Sequence, residues 1–316
     1  LEQVSSREIN TLIVAGDLFD ATCKNPAEIE TLFKNEQYSN ISIYFIPGNH
    51  DPALSAGSFT LSNIKYIIKP QVIEFPDSME FLFLPYEEDK SVGEVLASSN
   101  FTLKPNKWFL VAHGDNLATT HLRNDYEKGY YMPFSSKDIQ LYQPRKVFLG
   151  HIHTPMDSDI VHYPGSPCGL DISETGIRSF IIYDSKNGNV DRIPIKSDVL
   201  YFQLILTVIP RDDEEIYIHQ EMAQRIADWH LDETQISKVR LRLKVKGYST
   251  NRDLVLKSVT DFLHQRKISL QDPPDLSELK LSNDVTRADI ATAVQEQILA
   301  LGLIEHPDEP TKEDYI

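Results

Sequence analysis

The sequence predicts a layered α/β protein that carries a second, smaller α/β domain. Three observations predict it. Between Thr11 and about Tyr183 short apolar runs alternate with helical or irregular connections, as the buried strands of a largely parallel sheet do. Four of those runs end directly in polar side chains of the ligand-binding type, and layered α/β folds collect their sites at strand ends. Beyond Leu200 the pattern restarts as strand, helix, strand, helix, which marks a separate unit.

Each element follows from its local pattern. The runs "TLIVAGDLFD", "ISIYFIPGNHD", "EFLFLPY", "KWFLVAHGD", "KVFLGHIH" and "SFIIYD" read as buried strands, and Asn25 to Asn35 reads as a helix for which Asp20 is a candidate N-cap. An Asn-Gly turn in "SKNGNV" leads into a further strand, "RIPI". In the second region "YFQLILTVI" is a strand, and Asp212 to His230 is a helix with Ile218, Met222, Ile226 and Trp229 on one stripe. "KVRLRLKVKGYS" alternates strictly, with Val239, Leu241, Leu243 and Val245 on one face and Lys238, Arg240, Arg242, Lys244 and Lys246 on the other. Asn251 to Arg266 forms another helix, "LQDPPDLSELKLSND" reads as a linker, and Thr286 to Leu301 as a final amphipathic helix ended by Gly302. Its stripe is Ile290, Val294, Ile298 and Leu301, with a capping box from Thr286 and Asp289. The predicted divisions are 1–195, 196–268 for the smaller α/β domain, and 269–316 for linker and helix.

Composition narrows the function classes. A formal net charge of −16 argues against a surface coated in cations for duplex nucleic acid, although a local basic face, such as the stripe from Lys238 to Lys246, can coexist with it. Cys23 and Cys168 are too few for a disulfide framework and fit a reducing compartment. No apolar run approaches the roughly 18 residues of a spanning helix and no leader opens the chain, so the expectation is a cytoplasmic protein.

The strand ends carry the chemistry. His151 and His153 are spaced two apart in "GHIH", so in an extended strand they would face one point with Ile152 turned inward. Such a pair is by itself more often hydrogen-bonded than metal-bound, but other strand ends add to it. Asp17 follows a glycine at the end of a buried strand, where a carboxylate is costly unless neutralised; Asn49, His50 and Asp51 follow the second strand, and His113 the fourth. Oxygen and nitrogen donors without thiolates suit a borderline divalent ion such as manganese, iron or zinc. Two such ions ~3.5–4 Å apart clamp a phosphate for in-line attack. Asp17 is the natural bridge, because one carboxylate offers an oxygen to each ion. His50 is then available to protonate the leaving alkoxide, with Asp51 as the group that fixes its tautomer.

"GDLFD", "GNHD", the His of "VAHG" and "GHIH", in that order, resemble the successive motifs of the calcineurin-like metallophosphoesterases. "GHIHTP" followed by "HYPGSP", with the small domain behind them, is similar to the SbcD-like DNA repair nucleases. The resemblance implies a layered α/β/β/α sandwich with an α/β capping domain. It also implies two divalent ions, Mn2+ by preference, and a homodimer that works on DNA with an SMC-like ATPase, SbcC, to which the final helix attaches the nuclease. By motif, Asp17 bridges the ions, Asn49, His113 and His151 complete one shell, His153 binds the other ion, and His50 is the acid. The family also opens with an Asp-x-His motif that this sequence lacks; "LEQVSSREIN" reads as the helix after it, and the expectation is that the motif lies upstream of Leu1. Two other readings stay open: a phosphodiesterase or phosphatase for small phosphoesters, which the acidic charge favours, and a non-catalytic scaffold that keeps the fold.

Overall fold

In the computed structural model residues 1–19, 26–51, 56–118 and 129–282 are described, together with 290, 293–294, 296–298 and 300–301. Asp20, Cys23, His121, Thr286, Asp289, Gly302 and His306 lie outside the described residues. The chain divides into two compact units, Leu1–Pro167 with Arg178–Ile195, and Cys168–Ile177 with Lys196–Ile316.

In the first unit α1 (Glu2–Ser5) precedes β1 (Thr11–Ala15), and α2 (Pro26–Lys34), β2 (Ser42–Ile46) and β3 (Ile64–Tyr66) complete an all-parallel sheet in the order β1-β2-β3. A six-stranded mixed sheet follows, built from β4 (Gln71–Phe75), β5 (Met79–Leu84), β6 (Trp108–His113), β7 (Lys146–Gly150), β8 (Met156–Asp157) and β9 (Val161–Tyr163) in the order β4-β5-β6-β7-β9-β8. Helices α3 (Val92–Ser98) and α4 (Ser136–Tyr142) each open on a serine capping box, at Ser91 and Ser135. The hairpin β10 (Ser179–Tyr183) and β11 (Val190–Pro194) closes the unit.

Side-chain alternation sorts these elements into layers. Ile13 and Ala15 of β1 and Tyr44 and Ile46 of β2 share a core with Phe81, Phe83, Phe109, Val111 and Phe148 of the larger sheet. The alternate residues face outward: Leu12, Val14, Ile43 and Phe45 pack with Val4, Ile29 and Phe33 of α1 and α2. Leu82, Leu84, Trp108, Leu110, Val147 and Leu149 pack with α3 and α4. The result is helix, sheet, sheet, helix, as the sequence predicted.

The second unit holds β12 (Leu200–Val208), α5 (Glu214–Ala227), α6 (Glu233–Ile236), β13 (Val239–Ser249), α7 (Arg252–Gln265), β14 (Ser269–Leu270) and β15 (Asp275–Leu281), with every pairing in its sheet parallel. Val239, Leu241, Leu243 and Val245 are fully buried beneath Ile218, Met222 and Ile226 of α5 and Val255 and Val259 of α7, and Trp229 stacks on Phe202. Two expectations are corrected here. The stretch read as a linker supplies β14 and β15, because the prolines at 273 and 274 fall between the two strands and leave the Leu276 and Leu279 positions free to join the core. Residues 168–177, expected with the first domain, belong to this unit: Gly176 N–H donates to the Tyr201 carbonyl and the Gln203 amide to that of Ile172, both along edge strand β12.

Two cations of the basic stripe meet acids from the misread stretch. Arg242 pairs with Asp272 at 2.9 Å and Lys244 with Glu278 at 2.6 Å, and Lys238 donates to the Ser197 carbonyl. Ion pairs this exposed add little to stability, but they lower the net positive charge of that face. Within the final helix, the described positions from 290 to 300 are helical, and Ile290 and Val294 are exposed. Among the described residues no helix is long and apolar enough to cross a membrane.

Glu214, at the start of α5, is buried, accepts from the Ser249 hydroxyl, and has its carboxyl pushed up by burial. A raised folded pKa means that ionising Glu214 costs more in the folded than in the unfolded chain, so its destabilisation grows as pH rises through the usual carboxylate range and beyond it. Glu214→Gln is expected to raise the melting temperature at pH 7 by a few degrees, about what ~1 kcal/mol produces in a chain this size, and to have a much smaller effect at pH 4. Calorimetry at the two pH values checks it.

Candidate metal centre

Four strand ends of the first unit meet at one place. β1 runs parallel to β2 with Ala15 opposite Ile46, and β6 runs parallel to β7 with His113 opposite Gly150. His113 follows the alternation of Phe109 and Val111, so it points into the layer between the sheets and reaches β1. Its Nδ1 lies 2.8 Å from the Ala15 carbonyl oxygen, a bond that joins the two sheets. The approach is close enough that only glycines fit around it. A Cβ at Gly150 would run into the Ala15 carbonyl, and Gly16, at φ 88°, has no room for one beside the His113 ring.

Asp17 then turns back into the site at φ 52°. The Asp51 carboxylate holds this turn, accepting from the amides of Asp17 at 2.7 Å, Phe19 at 2.8 Å and Gly48 at 2.7 Å. Burial raises the Asp51 carboxyl in spite of these three amides. Asp17 is also buried, which pushes its carboxyl up, but the bond and charge of His113 and the His50 amide outweigh burial and leave it lowered. That amide donates to Asp17 Oδ1 at 2.9 Å.

The donor atoms test whether a cation fits. A ring nitrogen 2.8 Å from a carbonyl carries a proton, so when a cation takes the place of the second ring proton, it is the lone pair of His113 Nε2 that would face the centre. That lone pair faces Asn49 Oδ1 at 2.8 Å and Asp17 Oδ2 at 3.2 Å, and Asn49 Oδ1 also faces His151 Nδ1 at 3.2 Å. Acceptors converging in a buried site require a proton or a cation between them. One ligand atom each from Asp17, His113 and His151 lies within 4.8 Å of the others, and the set of oxygen and nitrogen donors fits a borderline divalent ion.

The structure thus brings together Asp17, Asn49, His113 and His151. His153 stands apart: its side chain is exposed and it is not among the three clustered residues. Strand alternation does not extend to it, because β7 ends at Gly150 and His151 adopts φ 95°, where the extended pattern is broken. The His153 carbonyl accepts from Arg178 and from the Ser166 amide, which anchors the loop. His50 has an exposed side chain at the mouth of the site. Asp51, expected to fix the His50 tautomer, bonds to the three main-chain amides instead.

Sequence reasoning missed Asp115, Tyr86 and Tyr131. The Tyr131 ring lies 4.8 Å from that of His151, Tyr86 lies 6.3 Å from His113, and Asp115, two residues after His113, is buried 3.8 Å from His151 Nε2. The signal for Asp115 was present in "VAHGD", a second carboxylate at a strand end.

The family model for calcineurin-like phosphoesterases matches residues 1–184. The chain belongs to that family. Calcineurin-like phosphoesterases use divalent metals to hydrolyse phosphoesters, and the donor set built by Asp17, His113 and His151 agrees with that requirement. The chain is also similar to the D subunit of the SbcCD nuclease of Staphylococcus epidermidis, with 24% identity over 231 residues, 62% of this chain; it spans about six-tenths (61%) of that relative's length.

Gly150→Ala tests the close approach of the sheets. The added methyl must displace the Ala15 carbonyl or His113, and overpacking of this kind costs ~1–3 kcal/mol. A lower urea midpoint is expected together with weaker Mn2+ binding by titration, because the same shift moves a ligand.

Proposed function

We propose that this calcineurin-like phosphoesterase is a metal-dependent DNA nuclease of the SbcD type, acting as a homodimer with an SMC-like ATPase in DNA repair. The observation that carries the phosphodiesterase chemistry is the convergence of Asp17, Asn49, His113 and His151 on one point at the strand ends. DNA as substrate is supported by the similarity to the SbcCD nuclease and by the "GHIHTP" and "HYPGSP" motifs. Asp17, Asn49, His113 and His151 would hold the cation, with His153 assigned to a second one. When bound, divalent ions supply a Lewis acid for the phosphoryl oxygens and make the attacking water more acidic.

The chain's own groups do the rest. Ala15 keeps His113 in the tautomer that offers Nε2, and the Asp51 carboxylate keeps Asp17 in its left-handed turn. His50, at the mouth of the site, protonates the leaving alkoxide. Hydrolysis of small phosphoesters is the second reading, favoured by the net charge of −16 and by the pairing of Arg242 and Lys244 within their own sheet.

Mn2+-dependent cleavage of a DNA duplex, abolished by EDTA, is the expected result; hydrolysis of bis(p-nitrophenyl) phosphate without DNA cleavage would select the second reading instead. His50→Ala is expected to lower the cleavage rate ~10²–10⁴-fold with Mn2+ affinity retained. Asp17→Ala is expected to lose the metal. Equal metal loss in both variants would show that the two roles are misassigned.

A further inference from the structure

We propose that the cavity beside the metal centre binds the base of the nucleotide whose phosphate is held at that centre, an inference that rests on reading the site as a phosphoesterase centre. The cavity encloses about 420 Å3, within the ~300–1,000 Å3 usual for small-molecule sites, and Tyr86, Tyr130 and Tyr131 line it. The Tyr86 and Tyr131 rings lie 6.2 Å apart, tilted by 38°. Each also stands next to a histidine of the metal centre: Tyr131 is 4.8 Å from His151, and Tyr86 meets His113 edge-on at 6.3 Å. Aromatic surface therefore runs from the ligand histidines into the cavity, and a sugar is what separates phosphate from base in a nucleotide.

Three main-chain hydrogen bonds fix the walls. The Tyr86 amide donates to the Pro47 carbonyl at 3.0 Å, which ties the loop after β5 to the "GNHD" turn. The Tyr131 amide donates to Asp115 Oδ2 at 2.8 Å, and the Val92 amide, at the start of α3, donates to the Pro133 carbonyl at 3.1 Å. A cavity held in this way is preformed, which reduces the ordering that binding requires. Its charge then decides what enters. Glu88, Asp89 and Glu94 line it, and the lining cation, Lys90, pairs with Glu87. Three carboxylates beside a neutralised lysine repel a further phosphate, so the cavity does not suit the neighbouring backbone of a nucleic acid. A nucleobase suits it: the ring is uncharged, presents a π-face to tyrosine, and carries N–H donors that carboxylates accept.

The test is calorimetric titration of the Mn2+-loaded full chain with the 5′-phosphonates of deoxyadenosine and of 2-deoxyribose. Their C–P bonds resist hydrolysis, and the two compounds differ in the presence of the base. The deoxyadenosine compound is expected to bind ~5–150-fold tighter, the range that one aromatic–base stack supplies. Tyr86→Leu and Tyr131→Leu keep an apolar side chain but remove the flat face, and each is expected to narrow that ratio severalfold. The ratio is the readout because a loss of metal or of fold weakens both ligands alike. Equal affinity for the two compounds in the wild type, or binding of neither, overturns the proposal without recourse to a variant. So does a ratio that both folded variants leave unchanged, since the base would then sit elsewhere. A base preference that narrows in the variants while neither compound gains affinity from Mn2+ counts against the metal-centre reading and leaves the role of the cavity standing. The same preference in a chain that does not cleave DNA counts against the nuclease reading alone.

Discussion

The hydrogen bond from His113 Nδ1 to the Ala15 carbonyl ties the end of β6 to the end of β1 and so fixes where the two sheets of the first unit meet. It settles the His113 tautomer at the same time. Its length depends on residues without side chains: Gly16 beside the ring and Gly150 across from Ala15. The bond has little water to compete with it, because His113 is fully buried and the shared layer below is filled by Phe109, Val111, Ile13 and Ile46. A buried N–H and carbonyl that lose each other face the full desolvation penalty, ~1–3 kcal/mol, so the contact constrains both strands.

Around that anchor the backbone is held in conformations it would not choose. Asp17 at φ 52° and His151 at φ 95° are non-glycine residues with positive φ at adjacent strand ends, each worth on the order of 1–3 kcal/mol of strain. Such residues persist where neighbours over-determine them. For Asp17 the neighbour is Asp51, whose carboxylate collects three amides from two loops. For His151 it is the packing of Tyr131 and the carboxylate of Asp115. Acidic residues thus occupy two structural ranks here, one turned toward the cation position and one turned toward the main chain behind it.

The second unit shows a different balance. Its core is regular, with β13 buried at every alternate residue under α5 and α7. Its outer face is less cationic than the sequence of β13 implies, since Asp272 and Glu278 return alongside Arg242 and Lys244. Charge counted along one strand therefore overstated the field of the sheet, because the neighbouring strand carries the opposite sign.

The layered architecture was legible in sequence because side-chain alternation is a local property. Leu82, Leu110 and Val147 against Phe83, Val111 and Phe148 already declare two buried faces. The meeting of Asp17, Asn49, His113 and His151 was legible too, since each follows an apolar strand and parallel strands bring their ends to one edge. The strands β14 and β15 were hidden by prolines that belong to the connection between them, and short strands carry too few residues for a period to show. His153 lies past the residue where His151 leaves the extended conformation, so strand alternation does not place its side chain, and φ is decided by packing rather than by spacing. The role of the Asp51 carboxylate and the presence of Asp115 behind His151 were matters of tertiary structure alone: both depend on loops from distant parts of the chain meeting, and no local pattern encodes that distance.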